Sequence, residues 1–168
     1  MRSVYLAGFD VFLPDAVAHG ERLKTLCATY GFEGVFPLDS AAPPDLSGQA
    51  LAQWIYRANV ALIRRADMVM ANLNPFRGAE PDSGTAFEVG YAIACGKPVW
   101  GYTGQSGSLI DQVAVGAAAD DGVSRMVDAQ GHTVEDFGLS LNLMLACSAR
   151  IVNGGPADCL ASMARERA

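Results

Sequence analysis

The stretch ADMVMANLNPFRGAEPDSGTAFEVGYAIACGKPVWGY, residues 66–102, contains a complete strand–loop–helix–strand pattern. Residues 67–73 are almost continuously apolar and have the length of a strand, which is typical of a parallel strand that is covered on both faces. A polar loop follows, then a helix of small and apolar residues that ends at Gly96, and then a strand at residues 98–102. This unit predicts a central parallel sheet.

The alternation of strand and helix also extends toward the amino terminus. Hydrophobic periodicity predicts strands at residues 3–7 and 32–36 and helices at residues 15–30 and 47–66. The pattern indicates a single-domain α/β fold with an open, mostly parallel sheet flanked by helices. Ligands of such sheets bind beyond the carboxyl ends of the strands. The functional loops are therefore expected at residues 8–14, 38–46, 73–84 and from 103 onward.

The hydrophobic pattern is weaker after residue 102. It predicts a variable loop with a helical turn near Leu109 at residues 103–123, a small hairpin at 126–137 and a short apolar helix at 139–148. We expect one domain over residues 1–150, followed by a tail at 151–168 with a short helix after Pro156.

Composition excludes several classes of partner. The chain has 168 residues, 51% of them hydrophobic, and a formal net charge of −6. No basic stripe is available to neutralise nucleic-acid phosphates. No apolar stretch reaches the roughly 18 to 20 residues that a membrane span needs. We therefore expect a soluble, cytoplasmic protein that binds neither nucleic acid nor membrane.

Common cofactor motifs are absent from the sequence. Neither G-x-G-x-x-G nor the P-loop pattern occurs, the cysteines form no Cys-x-x-Cys pair, and the two histidines are widely separated. We predict no metal site and no cofactor, and we expect His19 and His132 at the surface. Asp10 follows the first predicted strand, where its charge would repel a phosphate.

Glu88 is the only charged residue between Ser83 and Gly96. A lone glutamate on an apolar helix can extend to solvent, pair with an arginine or face a cleft. Gly84 and Thr85 precede it by one helical turn, so the surface beside the carboxylate is left nearly bare. This spacing favours a ligand site at Glu88.

Two further side chains are candidates for the same site, each with an ordinary structural alternative. Asp82 stands at the loop-to-helix junction, where it either caps the helix or faces the same cleft as Glu88. Two carboxylates in one cleft are typical of retaining glycosyl transfer. Tyr5, on the first strand, either belongs to the core or holds a carboxylate through its hydroxyl.

Four segments together resemble one enzyme family. They are YLAGFDVFLPDA (5–16), ADMVMANLNPFRG (66–78), PDSGTAFEVGYAIACGKPVWGY (81–102) and EDFGLSLNLMLA (135–146). In this order, over roughly residues 4 to 148, they resemble the nucleoside 2-deoxyribosyltransferases. The resemblance implies a flavodoxin-like subunit that moves the sugar of a 2′-deoxynucleoside to another free nucleobase in nucleotide salvage. It implies no metal and no organic cofactor.

The resemblance also implies roles for individual residues. Glu88 matches the nucleophile, Asp82 its acidic partner and Tyr5 the residue that orients the nucleophile. Phe12 matches an aromatic wall for the base. Ser83 and Gly84 lie within the Asp-x-Gly-Thr-x-x-Glu motif and are expected to contact substrate. With Phe12 and Tyr5, Phe76 adds aromatic surface for stacking a base.

Asn142 and Met144 match a segment that these enzymes contribute to a neighbouring subunit, which implies a homo-oligomer with shared sites. Asn59 stands where some members carry an aspartate near the base, so the preference for purine or pyrimidine stays open. Phe9 stands where the family pattern has proline. Two alternatives also stay open: an N-glycoside hydrolase, and a non-catalytic nucleotide-sensing module on the same fold.

Overall fold

Strands and helices alternate along residues 1–120 and 122–166, which the computed structural model describes. The strands are β1 (Arg2–Ala7), β2 (Phe32–Val35), β3 (Met68–Asn72), β4 (Val99–Thr103), β5 (Gly116–Asp120), β6 (Val123–Val127) and β7 (Arg150–Asn153). The helices are α1 (Ala16–Thr29), α2 (Gly48–Arg65), α3 (Ser83–Ala94), α4 (Leu109–Val113), α5 (Leu143–Ala146) and α6 (Pro156–Arg165). Short 3-10 helices at Phe9–Phe12 and Pro37–Asp39 follow β1 and β2.

The main sheet has five parallel strands in the order β2-β1-β3-β4-β7. This is the flavodoxin-like order, in which the direction of winding reverses between β1 and β3. Such a reversal opens a crevice at the carboxyl ends of the strands. The predicted single-domain, flavodoxin-like α/β fold is confirmed.

The two faces of the sheet carry separate apolar layers. Along β1, Val4 and Leu6 pack in the layer that includes α1 and α6, whereas Tyr5 and Ala7 pack in the layer that includes α2 and α3. This alternation follows from the two-residue period of a strand. Tyr5 therefore points to the same side of the sheet as Glu88-bearing α3.

The helix termini follow the predicted signals, with one difference. Gly31 and Gly96, with φ of 78° and 70°, stand just beyond α1 and α3 in the left-handed conformation that glycine adopts at little cost. Asp15 precedes α1 as predicted, but its side chain makes no cap hydrogen bond. It accepts a 2.7 Å hydrogen bond from Arg22 instead.

The region after β4 is more ordered than its composition indicates. The segment predicted as a loop contains α4, which starts at a Ser108–Asp111 capping box, and β5. The hairpin is formed by β5 and β6, and the predicted one is reduced to a bridge between Val127 and Thr133. The apolar helix predicted at 139–148 has only four residues, because Asn142 caps a later start.

The carboxyl-terminal segment joins the sheet. The helix expected after Pro156 is present as α6, and it buries Cys159, Leu160 and Met163. Before it, β7 adds a fifth strand beside β4, although the sequence predicted only a tail. The strand escaped detection because it is four residues long and no residue in it is fully buried. Among the described helices, none combines the length and apolar character that crossing a membrane requires.

Candidate active site

A cavity of about 470 Å³ lies at the carboxyl end of the sheet. Its walls come from the segments after β1 and β2, from the middle of α2 and from the amino-terminal half of α3. The walls are mainly apolar, and the ionisable groups among the lining residues are Asp82 and Glu88. The cavity is therefore an apolar space with a pair of carboxyl groups at one side.

Glu88 is half-buried, and its carboxylate is held by two other elements. Tyr5 Oη donates a 2.6 Å hydrogen bond to Glu88 Oε1, and Asn59 Nδ2 donates one of 3.3 Å to the same oxygen. Burial raises the pKa of Glu88 to about 7, and the nearby Asp82 adds to the rise, while the hydrogen bonds from Tyr5 and Asn59 oppose it. The carboxyl group therefore titrates close to neutral pH.

Tyr5 is a core residue and a partner of Glu88 at once. Its side chain is fully buried in β1. Burial is the main cause that holds the pKa of Tyr5 above its usual range, with further contributions from the charge of Glu88 and the hydrogen bond to it. Tyr5 therefore stays neutral and acts as a hydrogen-bond donor.

Asp82 both caps α3 and lines the cavity. Its Oδ2 accepts hydrogen bonds from Thr85 N at 2.8 Å and Thr85 Oγ1 at 3.0 Å. Gly84 also lines the cavity, and a Cβ at that position would lie 3.0 Å from Asp82 Oδ2. Ser83 is exposed and is not among the residues that line the cavity.

Phe12 lines the cavity from the 3-10 helix after β1 and is 57% exposed. Phe76 stacks on Phe12 at 5.3 Å and on Phe9 at 5.1 Å between ring centroids. The Arg77 guanidinium lies 4.6 Å from the centroid of Phe76 and 5.4 Å from that of Phe12. We call the group formed by Phe9, Phe12, Phe76 and Arg77 the aromatic wall.

Asp10 is buried, although its position in the loop after the first strand predicted that it faces the site. It is 6% exposed and does not line the cavity. His19 Nε2 lies 2.9 Å from Asp10 Oδ1, and Asn72 Nδ2 donates to Asp10 Oδ2. The prediction that Asp10 presents its charge at the site, where it would repel a phosphate, is wrong, because the 3-10 helix turns Asp10 inward against α1. The prediction that His19 is a plain surface residue is also wrong, because its Nε2 lies against Asp10.

Asn142 and Met144 lie at a second cavity, of about 500 Å³, beside another face of α3. Asn142 Oδ1 accepts from Met144 N at 3.0 Å, and Asn142 Nδ2 donates to Glu135 Oε1 at 2.6 Å. Met144 is 70% exposed. Neither residue lines the cavity of Glu88 in the same chain. The structure therefore brings Tyr5, Phe12, Asn59, Asp82, Gly84 and Glu88 together, but not Ser83, Asn142 or Met144.

The sequence analysis missed part of the cavity wall. The helical periodicity of residues 47–66 predicts that Trp54 and Ile55 belong to the apolar face that packs on the core, but both line the cavity. The buried residues of α2 are Leu62 and Ile63, near its other end. The sequence did contain a sign of this second role. The apolar residues of α2 begin well before Leu62 and Ile63, so the apolar face of the helix is longer than the part that packs in the core. Across residues 1–120 and 122–166, no three His, Cys, Asp or Glu side chains converge in a way that could hold a metal ion.

Comparisons with known proteins give one family model and several proteins of similar sequence or fold. A family model described as nucleoside 2-deoxyribosyltransferase matches residues 4–144. An uncharacterised protein of Schizosaccharomyces pombe is 33% identical over 165 residues, covering 90% of this chain and 78% of that protein. A 2-desoxiribosyltransferase from Leishmania mexicana superposes with a TM-score of 0.77 at 30% identity, with both chains fully covered. A conserved protein from Enterococcus faecalis shares the fold, at 20% identity and a TM-score of 0.61, covering 100% of this chain and 99% of that one.

Proposed function

The chain belongs to the nucleoside 2-deoxyribosyltransferase family, and from this premise we propose that it transfers the 2-deoxyribosyl group of a 2′-deoxynucleoside to another free nucleobase. Family and fold support an enzyme of deoxyribosyl transfer or of related N-glycosidase chemistry. The observation that carries the finer proposal is the carboxylate of Glu88, which Tyr5 and Asn59 hold at the side of an apolar cavity.

The proposed reaction has two displacement steps at the anomeric carbon. Both hydrogen bonds from Tyr5 and Asn59 reach Glu88 Oε1, so Oε2 is the oxygen assigned to attack. Glu88 forms an ester bond to C1′, the N-glycosidic bond breaks, and its electron pair leaves with the base. A nitrogen of the second base then attacks C1′ and loses its proton, and the ester bond breaks to release Glu88 as a carboxylate. The proton lost by the second base balances the one that the first base takes up. Two inversions give overall retention.

The leaving base needs a proton or a hydrogen bond on the nitrogen that takes up the electron pair. Asp82 is the other ionisable side chain that lines the cavity, and its Oδ2 is already engaged at the start of α3. We therefore assign Asp82 Oδ1 to the contact with the sugar or the leaving base. Asn59 Nδ2 steadies Glu88 and cannot itself supply a proton at neutral pH.

The apolar walls fit a planar, uncharged base better than a phosphate. Phe12, Trp54 and Ile55 offer surface against which a base can stack, and a bound base would be exchanged there between the two steps. The absent 2′-hydroxyl of the substrate favours the oxocarbenium-like transition state. We therefore propose that 2′-deoxynucleosides react and ribonucleosides do not.

A second copy of the chain is proposed to complete the site. Asn142 and Met144 lie at an exposed end of α5, away from Glu88 of their own chain. Asn142 Nδ2 carries two hydrogens, of which one is donated to Glu135. The other is available to a sugar hydroxyl in a neighbouring protomer.

The test is base exchange. The protein is mixed with deoxyinosine or thymidine and a different free base, and the exchanged nucleoside is followed by chromatography. Exchange with ping-pong dependence on donor and acceptor supports transfer. Free deoxyribose that accumulates at the same rate with and without acceptor replaces the proposal with a hydrolase. Binding of nucleoside without any turnover replaces it with a sensing module.

A further inference from the structure

A buried carboxylate that the proposed reaction does not use lies next to the aromatic wall. Asp10 Oδ1 lies 2.9 Å from His19 Nε2 of α1, and Asp10 Oδ2 accepts a 3.0 Å hydrogen bond from Asn72 Nδ2 of β3. A buried carboxylate is costly unless polar partners surround it. These partners therefore fix Asp10 from two elements outside its own segment.

The contacts continue across the carboxyl end of the sheet. Asn72 Oδ1 accepts hydrogen bonds from Asn74 N at 3.2 Å and Asn74 Nδ2 at 2.7 Å. Asn74 Oδ1 in turn accepts one of 2.8 Å from Gly104 N. The loops after β1, β3 and β4 are thus joined through a single hydrogen-bonded chain, in which Asp10 is the contribution of the first loop.

The residues that flank Asp10 contact the cavity and the wall. Phe9 stacks on Phe76, and Val11 and Phe12 line the cavity. A 3-10 helix of four residues has little hydrogen bonding of its own to hold it in place. The space beside it is also filled, since a Cβ on Gly8 would lie 2.3 Å from Asp10 Oδ2. The inward side chain of Asp10 therefore anchors a segment in which Val11 and Phe12 line the cavity.

We propose that Asp10 is a positioning residue for the nucleobase: through His19 and Asn72 it fixes the segment that places Phe12 at the cavity. This inference rests on the proposed function of the Glu88 cavity. Under this proposal Asp10 affects how tightly the base binds. Glu88, Tyr5 and Asn59 affect the displacement at C1′.

The kinetic test compares Asp10→Ala with two controls. Asp10→Asn is a graded control. Arg22 donates to His19 Nδ1, so His19 Nε2 carries the hydrogen that faces Asp10, and the asparagine keeps only one of the two acceptor oxygens. We expect it to raise KM less than Asp10→Ala. Asp67→Ala removes a carboxylate that accepts from Ser3 N at 2.8 Å, just before the amino-terminal end of β3. We expect Asp10→Ala to raise KM for donor and acceptor base about 10-fold, with kcat within about 3-fold, and Asp67→Ala to stay near wild type. A fall in kcat at unchanged KM, or an equal rise of KM in Asp67→Ala, overturns the inference.

A double variant and a measurement without turnover complete the test. Asn72→Ala leaves the carboxylate in place and removes its donor, so it probes the same chain if Asp10→Ala folds poorly. We expect the KM of Asp10→Ala/Asn72→Ala to rise by less than the product of the two single effects, because the two residues share the contact between Asn72 Nδ2 and Asp10 Oδ2. Multiplication of the two single effects overturns the inference.

Hydrogen exchange separates failure of this inference from failure of the proposed function. If the wild-type protein exchanges no base with any deoxynucleoside, the proposed function fails, and the amide exchange rates still decide the role of Asp10. We expect faster exchange in peptides covering residues 8–15 and 73–82 in Asp10→Ala, or in Asn72→Ala, but not in Asp67→Ala. Unchanged exchange in these peptides overturns the inference.

Discussion

The cavities that contact α3 on two of its faces differ in how their polar groups are held. In the first, Glu88 receives hydrogen bonds from β1 and α2, so the carboxylate that we propose as the nucleophile is held entirely by its own chain. In the second, Asn142 caps α5 and contacts Glu135, and Met144 beside it is 70% exposed. The first cavity has two carboxyl groups, those of Asp82 and Glu88, beside an apolar space. The second has an apolar face and an exposed helix end, which fits the proposal that it serves a neighbouring protomer.

The strongest test of the difference between the two cavities is to remove the carboxylate of Glu88. Glu88→Ala should lower turnover by a factor on the order of 10⁴ or more, because the covalent route is lost. The fold should persist, since α3 keeps its cap at Asp82 and its buried Val89 and Ala92. Circular dichroism and base-exchange rates check both points. Near-normal exchange by a folded Glu88→Ala protein would end the assignment of the nucleophile.

A trapped intermediate tests the same step from the substrate side. A 2′-fluorinated deoxynucleoside should leave a sugar on Glu88 when no acceptor base is added. Fluorine slows both displacements by destabilising their oxocarbenium-like transition states, and the second step then lacks an added nucleophile. Mass spectrometry of the peptide that contains Glu88 detects the added mass. The adduct should be absent from Glu88→Gln, and an adduct on another residue would contradict the mechanism.

The second cavity is tested by complementation. If Asn142 serves a neighbouring site, Asn142→Ala should lose about 100-fold in rate, and a mixture of Asn142→Ala and Glu88→Ala should recover activity, since mixed oligomers contain some intact sites. His132→Ala, at an exposed position before Glu135, serves as the control. Rates of the mixture and sedimentation of each protein are measured. A fully active monomer, or a mixture no more active than its components, removes the shared site.

Features of the fold and site with local signals could be predicted from the sequence, whereas features that depend on a packing partner could not. The βαβ unit and Glu88 could be predicted because their signals are local: an apolar strand, a glycine stop and an isolated charge. The role of Trp54 and the inward turn of Asp10 could not, because each depends on which partner packs against the segment. The strand β7 and the late start of α5 were missed because four-residue elements carry too little periodicity.

The burial of Glu88 should also lower the free energy of unfolding at neutral and higher pH. The native pKa of Glu88 is about 7, against 4.5 for an ordinary glutamate. Between these values the native state holds a proton that the unfolded state releases, so wild-type stability falls as pH rises through this window. Glu88→Gln lacks the effect and should be more stable than wild type by about 2 to 3 kcal/mol above neutral pH, with little difference below about pH 4.5. Urea unfolding at both pH values checks this, with exposed Glu33→Gln as the control.

The smallest expected effect concerns the hydrogen bond that Tyr5 Oη donates to Glu88 Oε1. Tyr5 Oη lowers the pKa of Glu88, so Tyr5→Phe should raise it further. Because the nucleophile must be ionised, the acidic limb of kcat/KM should move to higher pH. The loss should be about 10-fold below neutral pH and smaller on the alkaline plateau, where orientation alone is missing. Tyr102→Phe, which removes a buried hydroxyl from the other layer of the core, should leave the limb in place. A uniform loss at every pH would show that Tyr5 orients Glu88 without tuning its proton.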